Sequence, residues 1–394
     1  MAGKLFAPAR LDERELLVLA QIEQLKETLR YAVDGSPRTW SGLLRRSTFA
    51  RVIRGSNSIE GYDVSVDDAI AAVEGEQPLD ASAEAWAVVE GYRSALTYVL
   101  QLAADPHFGY SVDLIRGLHF MMMQYDLRKN PGRWRPGPIY VRDEDRREVV
   151  YEGPGAELLP ELMTELVRSL EDARDVPPIV TAALGHLNLV MVHPFSDGNG
   201  RMARCLQTLV LARNGTLAAQ FSSIEEYLGR NTQAYYDVLA EVGGGAWHPE
   251  RDTRPWVRFC LTAHYRQAMT LLRRTRELAR LWDMLETELK GKGLPERLIF
   301  ALADAAVGYA VRNATYRPIA EVSEQVASRD LKLAVDAGLL TPEGERRGRY
   351  YKAAPVLVDL RRRTHEPRGV KDPFAELGDT ATLPLPGFES RATG

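Results

Sequence analysis

The chain has 394 residues, enough for two or three domains of ordinary size. Its apolar content of 45% and charged content of 26% are those of a globular protein and exclude a largely disordered chain. The net charge of −4 argues against a protein that is basic throughout and binds nucleic acid with its whole surface.

Targeting and redox signals are scarce. The sequence has no apolar run long enough to span a membrane, and its first residues lack the apolar centre of a signal peptide. Two cysteines, Cys205 and Cys260, provide neither a disulfide framework nor a four-ligand zinc site. We therefore expect a cytoplasmic protein that makes no membrane contact.

Helical periodicity dominates the chain, so the fold class we expect is all-α. Strand patterns are scarce; in 134–151, the runs PIYVR and EVVYE flank a charged turn, which is typical of one β-hairpin. The predicted helices are 11–32, 82–104, 111–126, 156–171, 177–192, 200–213, 231–241 and 254–290.

The C-terminal quarter differs in charge from the rest. Residues 271–370 carry 19 Lys and Arg against 14 Asp and Glu, and their pattern is three helices followed by a hairpin. This order is typical of a winged helix-turn-helix domain, which we place at 271–365. Because the excess of five positive charges is small, contact with DNA and contact with protein both stay open. The basic residues that could touch phosphate are Arg329, Lys332, Arg346, Arg347 and Arg349. Residues 366–394, rich in Pro, Gly and Thr, are predicted to be a disordered tail.

The segment 193–204, HPFSDGNGRMAR, carries the strongest chemical signal. It lies between two apolar helices, so its glycines fall at the N-terminus of the second helix. There, free backbone N–H groups and the helix dipole favour a phosphate. Arg201 and Arg204 are one helical turn apart and can contact the same anion.

Two further side chains in this segment suit phosphate chemistry. Asp197 is a hard ligand that suits Mg²⁺ beside phosphate oxygens, and His193 can take a proton near neutral pH. A lone His before Pro or a lone Asp-Gly-Asn-Gly would be read as a helix end or a turn. Their combination favours phosphoryl or nucleotidyl transfer.

This segment resembles the signature H-x-F-x-[DE]-G-N-G-R-x-x-R of the Fic family at every position. LIRGLHFMMM followed by NPGRWRPGPIYV, and the later EYLGRNTQAYYDVL, are also similar to the family. The resemblance implies a helical Fic core at 106–270 with one β-hairpin flap, preceded by a helical region at 1–105. The activity it implies is transfer of AMP from ATP to a Ser, Thr or Tyr hydroxyl of a protein, with Mg²⁺ as cofactor.

The resemblance also implies roles for individual residues. His193 would deprotonate the hydroxyl, and Asp197 would hold Mg²⁺. Gly198, Asn199 and Gly200 would surround the α- and β-phosphates, Arg201 would bind the β-phosphate and Arg204 the γ-phosphate. Phe195 would anchor the loop in the core.

A second, shorter resemblance suggests an inhibitory helix. Ser56 to Gly61, SNSIEG, matches the family's inhibitory pattern [ST]-x-x-x-E-[GN]. In this interpretation Ser56 and Glu60 approach the loop, and the Glu60 carboxylate pairs with Arg204 in place of the γ-phosphate. Family members with such a helix often dimerise, so a homodimer is an open expectation.

Weaker signals concern the adenine and the target protein. Asn231, Tyr235 and Tyr236 could line an adenine pocket, although aromatic packing explains them equally well. The hairpin at 138–151 could hold a target segment by strand addition. His119 and His186 lie on apolar helix faces, where a core position is the simpler interpretation.

We weigh three functions. The first is an autoinhibited protein adenylyltransferase, the second a DNA-binding regulator whose nucleotide fold acts as a sensor. The third is the same enzyme removing AMP, with Glu60 aligning a water. Because each catalytic position is filled, an enzyme is favoured over a binding module.

Overall fold

The computed structural model describes residues 5–34, 40–143, 148–214, 219–344 and 349–375. These residues form a mostly helical structure with two small antiparallel hairpins, so the predicted helical fold with its 138–151 hairpin is confirmed. None of the described helices has the length and apolar character needed to traverse a lipid bilayer.

The first half of the chain runs through seven helices and one hairpin. These elements are α1 (Glu13–Asp34), α2 (Trp40–Ile59), α3 (Val66–Glu74), α4 (Ala83–Ala104), α5 (Val112–Met123), β1 (Tyr140–Asp143), β2 (Glu148–Glu152), α6 (Leu159–Glu171) and α7 (Pro178–Val192). The second half contains α8 (Asn199–Asn214), α9 (Ala219–Ser222), α10 (Glu225–Arg230), α11 (Thr232–Gly243), α12 (Arg254–Lys292), α13 (Ile299–Ala306), α14 (Asn313–Ala320), α15 (Glu324–Asp336), β3 (Leu340–Glu343), β4 (Tyr350–Ala353) and α16 (Pro355–Arg363).

Helices α7 and α8 form the centre of the molecule. Both are buried over almost their whole length, because α7 is apolar on every face and α8 packs against it. Helix α7 ends at His193, whose φ of 51° lies in the left-handed region, and Pro194 prevents its continuation. This sharp end starts the short loop that leads into α8.

Helix α12 is continuous through the predicted boundary at residue 271 between the catalytic core and the C-terminal domain. This agrees with the helix predicted at 254–290, so the change in composition occurs within one 39-residue helix, and the domain boundary at residue 271 stays a prediction. Composition alone does not show whether a helix is interrupted.

The elements α13, α14 and α15, followed by the β3–β4 hairpin, have the order expected for 271–365. They pack against the helices near the N-terminus. Arg46 on α2 forms ion pairs with Glu74 at 3.0 Å and with Asp304 on α13. Arg51, also on α2, donates to the hydroxyl of Tyr309 at 3.2 Å. Helix α2 is thus held between the central helices and the C-terminal elements.

Residues 366–375, which the sequence assigns to a tail, contact α12. Glu366 accepts from Arg276 at 2.7 Å and from Arg280 at 2.6 Å, and Arg258 lies over the ring of Phe374. The prediction of disorder is wrong for residues 366–375. Charged side chains on α12 hold this segment in place, although its sequence has no helix or strand periodicity. Residues 376–394 of the predicted tail lie outside the described residues.

Candidate active site

The loop between α7 and α8 is held rigidly by its own side chains. Asn199 accepts from the N–H of Phe195 at 2.9 Å and donates to the carbonyl of the same residue at 2.8 Å. The Phe195 ring is fully buried and stacks on His119, with 3.6 Å between the ring centroids. The side chain of Asn199 therefore fixes the loop, and only its backbone N–H is left to face an anion.

The glycines allow a close approach at the start of α8. Gly198 has a φ of +78°, which favours glycine. A Cβ atom at Gly200 would lie 2.5 Å from an oxygen of Glu60, which shows how closely this carboxylate approaches the backbone of α8. The first N–H groups of an α-helix have no partner within the helix. The first turn of α8 is therefore a site for a negatively charged group, and Glu60 supplies one.

Arg201 and Arg204 are both buried at this turn, each with 1% of its surface exposed. The Nε and Nη1 atoms of Arg201 and the Nη1 atom of Arg204 are buried and have no hydrogen-bond partner. Arg201 lies over the ring of Tyr62 and donates to the sulfur of Met123. Buried guanidinium N–H groups without acceptors are costly. They indicate a site built for a further anion.

The helix that carries Glu60 reaches this turn. Arg204 donates from Nε to the Ser56 hydroxyl at 2.8 Å and from Nη2 to the Ser56 carbonyl at 3.1 Å. The same Nη2 donates to Glu60 Oε1 at 2.6 Å. The structure thus brings together Ser56, Glu60 and Arg204, as the sequence motif predicts.

His193 has the geometry of a proton acceptor. Its Nδ1 lies 3.0 Å from the carbonyl oxygen of Val190. Because a carbonyl only accepts, Nδ1 carries the proton of the neutral ring and Nε2 carries the lone pair. Burial lowers the pKa of His193, and the nearby charge of Arg135 lowers it further. The imidazole is therefore neutral at neutral pH and able to take a proton.

Asp197 is ionised and half-buried beside the loop. Burial acts to raise the pKa of Asp197, but its bond to Lys129 and the charge of Arg201 outweigh this and lower it. Lys129 Nζ lies 2.6 Å from one carboxylate oxygen, and the Gly198 N–H donates to the other at 2.6 Å. A lone carboxylate next to an anion site suits Mg²⁺, which takes its remaining ligands from phosphate oxygens and water. The described residues contain no cluster of three or more His, Cys, Asp or Glu that would hold a metal without such a phosphate.

Three residues that hold the site were missed by the sequence analysis. Lys129 pairs with Asp197. His119 accepts from the Gly132 N–H at 2.8 Å and so donates from Nε2 to the Asp197 carbonyl at 2.9 Å. Arg135, at the base of the hairpin, donates to the His193 carbonyl at 2.8 Å. The sequence places His119 in the core, which its burial confirms, but its spacing gives no sign of the contact with the loop.

The expected adenine pocket is only partly supported. Tyr235 is 1% exposed, and its hydroxyl lies 2.9 Å from Nε2 of His186, so its ring packs in the core, which is the alternative that the sequence left equally open. Tyr236 is 45% exposed and donates to the Ile59 carbonyl at 3.1 Å, beside the end of α2. Asn231 donates to the Tyr227 carbonyl at 2.8 Å. Of these three residues, Tyr236 is the one that presents an exposed ring.

The burial of His186 has a measurable consequence for stability. Burial lowers the pKa of His186 from 6.5 to about 3. Between these values the unfolded chain binds a proton that the folded chain does not, so the free energy of unfolding falls as the pH is lowered. The expected contribution is at most about 1.4 kcal/mol per pH unit. Urea unfolding of His186→Gln between about pH 7 and pH 5 should show a shallower dependence than the parent chain.

The exposed His107 provides the matched control for this measurement. His107→Gln should leave the pH dependence unchanged. If the free energy of unfolding of His186→Gln and of the parent chain changed equally with pH, His186 would take up its proton in the folded chain as it does in the unfolded chain.

Comparison with known proteins agrees with this geometry. Residues 109–211 match the model of the Fic/DOC family. The chain contains a Fic domain. The matched range includes α5, the hairpin, α7 and most of α8, which together carry His119, His193 and the two arginines.

Curated relatives of this Fic-domain chain are named protein adenylyltransferases. The chain is 25% identical over 264 residues to "Protein adenylyltransferase Fic" of Nematostella vectensis, which covers 66% of this chain and 56% of the relative. It is 34% identical over 160 residues to the protein of that name from Culex quinquefasciatus, covering 39% of this chain and 30% of the relative. The chain thus spans about half or less of the length of these relatives.

Solved structures show the same fold. A Fic family protein from Desulfovibrio desulfuricans G20 superposes with a TM-score of 0.56 at 22% identity, covering 88% of this chain and 98% of that one. A Fic domain containing signaling protein from Bacteroides thetaiotaomicron gives a TM-score of 0.54 at 23% identity, covering 66% of this chain and 96% of that one. The first of these likenesses extends well beyond the Fic domain itself.

Proposed function

We propose that this chain is a protein adenylyltransferase that transfers AMP from ATP to a hydroxyl group of a protein. The observation that carries the proposal is the first turn of α8, where two buried arginines have unpartnered N–H groups, together with the neutral His193 at the start of the loop that leads into this turn. The names of the curated relatives support the same reaction.

In the proposed reaction the hydroxyl oxygen of the target attacks the α-phosphorus of ATP. A new P–O bond forms, the bond from this phosphorus to the bridging oxygen breaks, and pyrophosphate leaves. Nε2 of His193 takes the hydroxyl proton, since Nδ1 already donates to Val190. The amides at the start of α8, with Arg201 and Arg204, stabilise the charge on the phosphates.

Asp197 would hold Mg²⁺, which supplies positive charge to the phosphates when it is bound. For this, the carboxylate must exchange its contact with Lys129 for the metal. Dependence on Mg²⁺, a homodimer and a cytoplasmic location stay predictions from the sequence.

We propose that Glu60 inhibits this reaction in the state described. Its carboxylate lies against Gly200 and bonds Arg204, so it occupies the place where a phosphate of ATP would bind the first turn. Ser56 adds two contacts that hold the guanidinium toward α2. ATP must therefore compete with a carboxylate that belongs to the protein.

The hairpin is the proposed docking edge for the target segment. The side chains of Tyr140 and Val149 are exposed, at 47% and 51%. Among the described residues the sheet contains only β1 and β2, so the outer edge of β1 is available for strand addition. Arg135 links the base of this hairpin to the catalytic loop.

The winged-helix interpretation of the C-terminal elements stays a proposal. Arg329 and Lys332 are exposed on α15, and Arg349 is exposed at the start of β4, as contact with a phosphate backbone requires. Arg346 and Arg347 lie outside the described residues. Removal of AMP, the remaining alternative, would use the same loop with a water in place of the hydroxyl.

Incubation of the purified Glu60→Gly protein with α-labelled ATP and Mg²⁺ tests the proposed function. We expect label on the protein itself or on an added protein, and mass spectrometry should find the mass of AMP on a hydroxyl residue. The same incubation with γ-labelled ATP is the control, because AMP transfer leaves no γ-label. Incorporation of the γ-label instead would indicate phosphoryl transfer and contradict the proposal.

A further inference from the structure

A basic cavity of about 710 Å³ lies between α12 and the C-terminal elements. Eight arginine and lysine side chains line it, together with one acidic side chain, Glu277. They come from α2, α10, α12, β4, α16 and the segment after α16. No residue of the 193–204 loop lines this cavity, so it is separate from the candidate active site.

The carboxylates around the cavity are too few for its cations. Glu226 alone serves three arginines: Arg274 at 2.6 Å, Arg230 at 2.7 Å and Arg51 at 3.9 Å. Glu277 serves two more, Arg361 at 2.9 Å and Arg273 at 3.8 Å. Five arginines therefore share two carboxylates.

Of the other three cations, two have a carboxylate partner and one has none within the described part of the chain. At the rim, Arg362 pairs with Asp359 and Lys352 pairs with Glu343 at 3.1 Å. No hydrogen bond or ion pair of Arg368 occurs among the described residues. Eight cations against four carboxylates leave an excess of four positive charges in one cavity.

The excess of positive charge acts on Arg273, one of the arginines that line the cavity. Its Nε atom is buried and has no hydrogen-bond partner. Burial lowers the pKa of Arg273, and repulsion by Arg274 and Arg368 adds to this against the opposing charges of Glu277 and Glu366. Like charges that are held together at a folding cost indicate a site for an anion that offsets the cost.

We propose that this cavity binds a small molecule that carries at least two phosphate groups. Guanidinium groups bind phosphate oxygens in pairs, and several arginines on different walls suit phosphates that are separated within one ligand. The volume lies in the range of cavities that hold small molecules. A nucleic-acid duplex, in contrast, is usually contacted by a protruding element, and this site is concave.

Calorimetric titration with tripolyphosphate tests the proposal on the full chain. All proteins carry Arg201→Ala, so that the α8 turn does not contribute a second site. We expect binding in this background and a loss of at least about tenfold in affinity when Arg273→Ala and Arg368→Ala are added. Arg329→Ala with Lys332→Ala, which removes the same charge from the exposed face of α15, should change affinity by less than about twofold.

A folding control and two further ligands complete this experiment. Thermal unfolding shows whether each variant is folded; if the double variant is not, Arg368→Ala alone, an exposed position, should weaken binding at least about threefold. Equal affinity of the cavity and α15 variants would overturn the proposal, as would sulfate binding as tightly as tripolyphosphate. Tighter binding of a short DNA duplex through Arg273 and Arg368 would replace the small ligand by nucleic acid. The proposal does not rest on AMP transfer, since none of these readouts uses that activity.

Discussion

Replacement of His193 by alanine should lower the rate of AMP transfer by about 10² to 10⁴-fold, the usual contribution of a general base. Nε2 of His193 is the proton acceptor that the Val190 contact leaves available. Affinity for ATP should change by less than about twofold, because the imidazole contacts the incoming hydroxyl and not the phosphates. Labelled-ATP transfer and calorimetric ATP binding, both in the Glu60→Gly background, measure the two effects separately.

His107→Ala is the matched control for this experiment, since His107 is exposed and remote in sequence from the loop. It should transfer AMP like its parent. If His193→Ala lost ATP affinity in proportion to its rate, the ring would be part of the nucleotide site and the base would have to be sought elsewhere.

Glu60→Gly should raise auto-modification by about ten- to a hundredfold when ATP and Mg²⁺ are supplied. A hydrogen bond to a charged group contributes about 1.5–3 kcal/mol, and this is the interaction that ATP must otherwise displace at Arg204. Glu60→Gln, which keeps the shape and removes the charge, should give an intermediate rate. Quantitative labelling with α-labelled ATP measures all three proteins.

Asp63→Gly is the control for Glu60→Gly, because it removes an exposed carboxylate three residues further along the same segment. It should label at the parental rate. Equal labelling of Glu60→Gly and the parent chain would show that the contact between Glu60 and Arg204 does not limit ATP binding.

The sequence was sufficient for the loop but not for its supports. The residues from His193 to Arg204 are contiguous, so the histidine, carboxylate, glycines and arginines of the predicted phosphate site occur together in one segment of the sequence. Lys129 and His119 act on Asp197 from other elements, and a lysine or histidine at those positions has no local feature that marks the contact. Only the tertiary structure brings them together.

Tyr235 and α12 show two further limits of sequence reasoning. Tyr235 and Tyr236 are adjacent in a helix, and which one faces the core depends on how α11 is rotated against α7 and α12. The boundary at residue 271 follows a real change in charge, but α12 runs through it. The periodicity of 254–290 predicts this continuous helix, whereas the change in composition does not mark the end of an element, and amphipathic patterns report the rotation of a helix poorly.

The ion pairs of Arg46 join the C-terminal elements to α2, the helix that leads to Glu60. Arg46 is joined to Asp304 and Glu74, and burial raises the pKa of Glu74 to about 7. Moving α2 away from the loop as one rigid body would therefore break these buried ion pairs as well as the contact between Glu60 and Arg204. The same helix thus joins the candidate active site to the C-terminal elements.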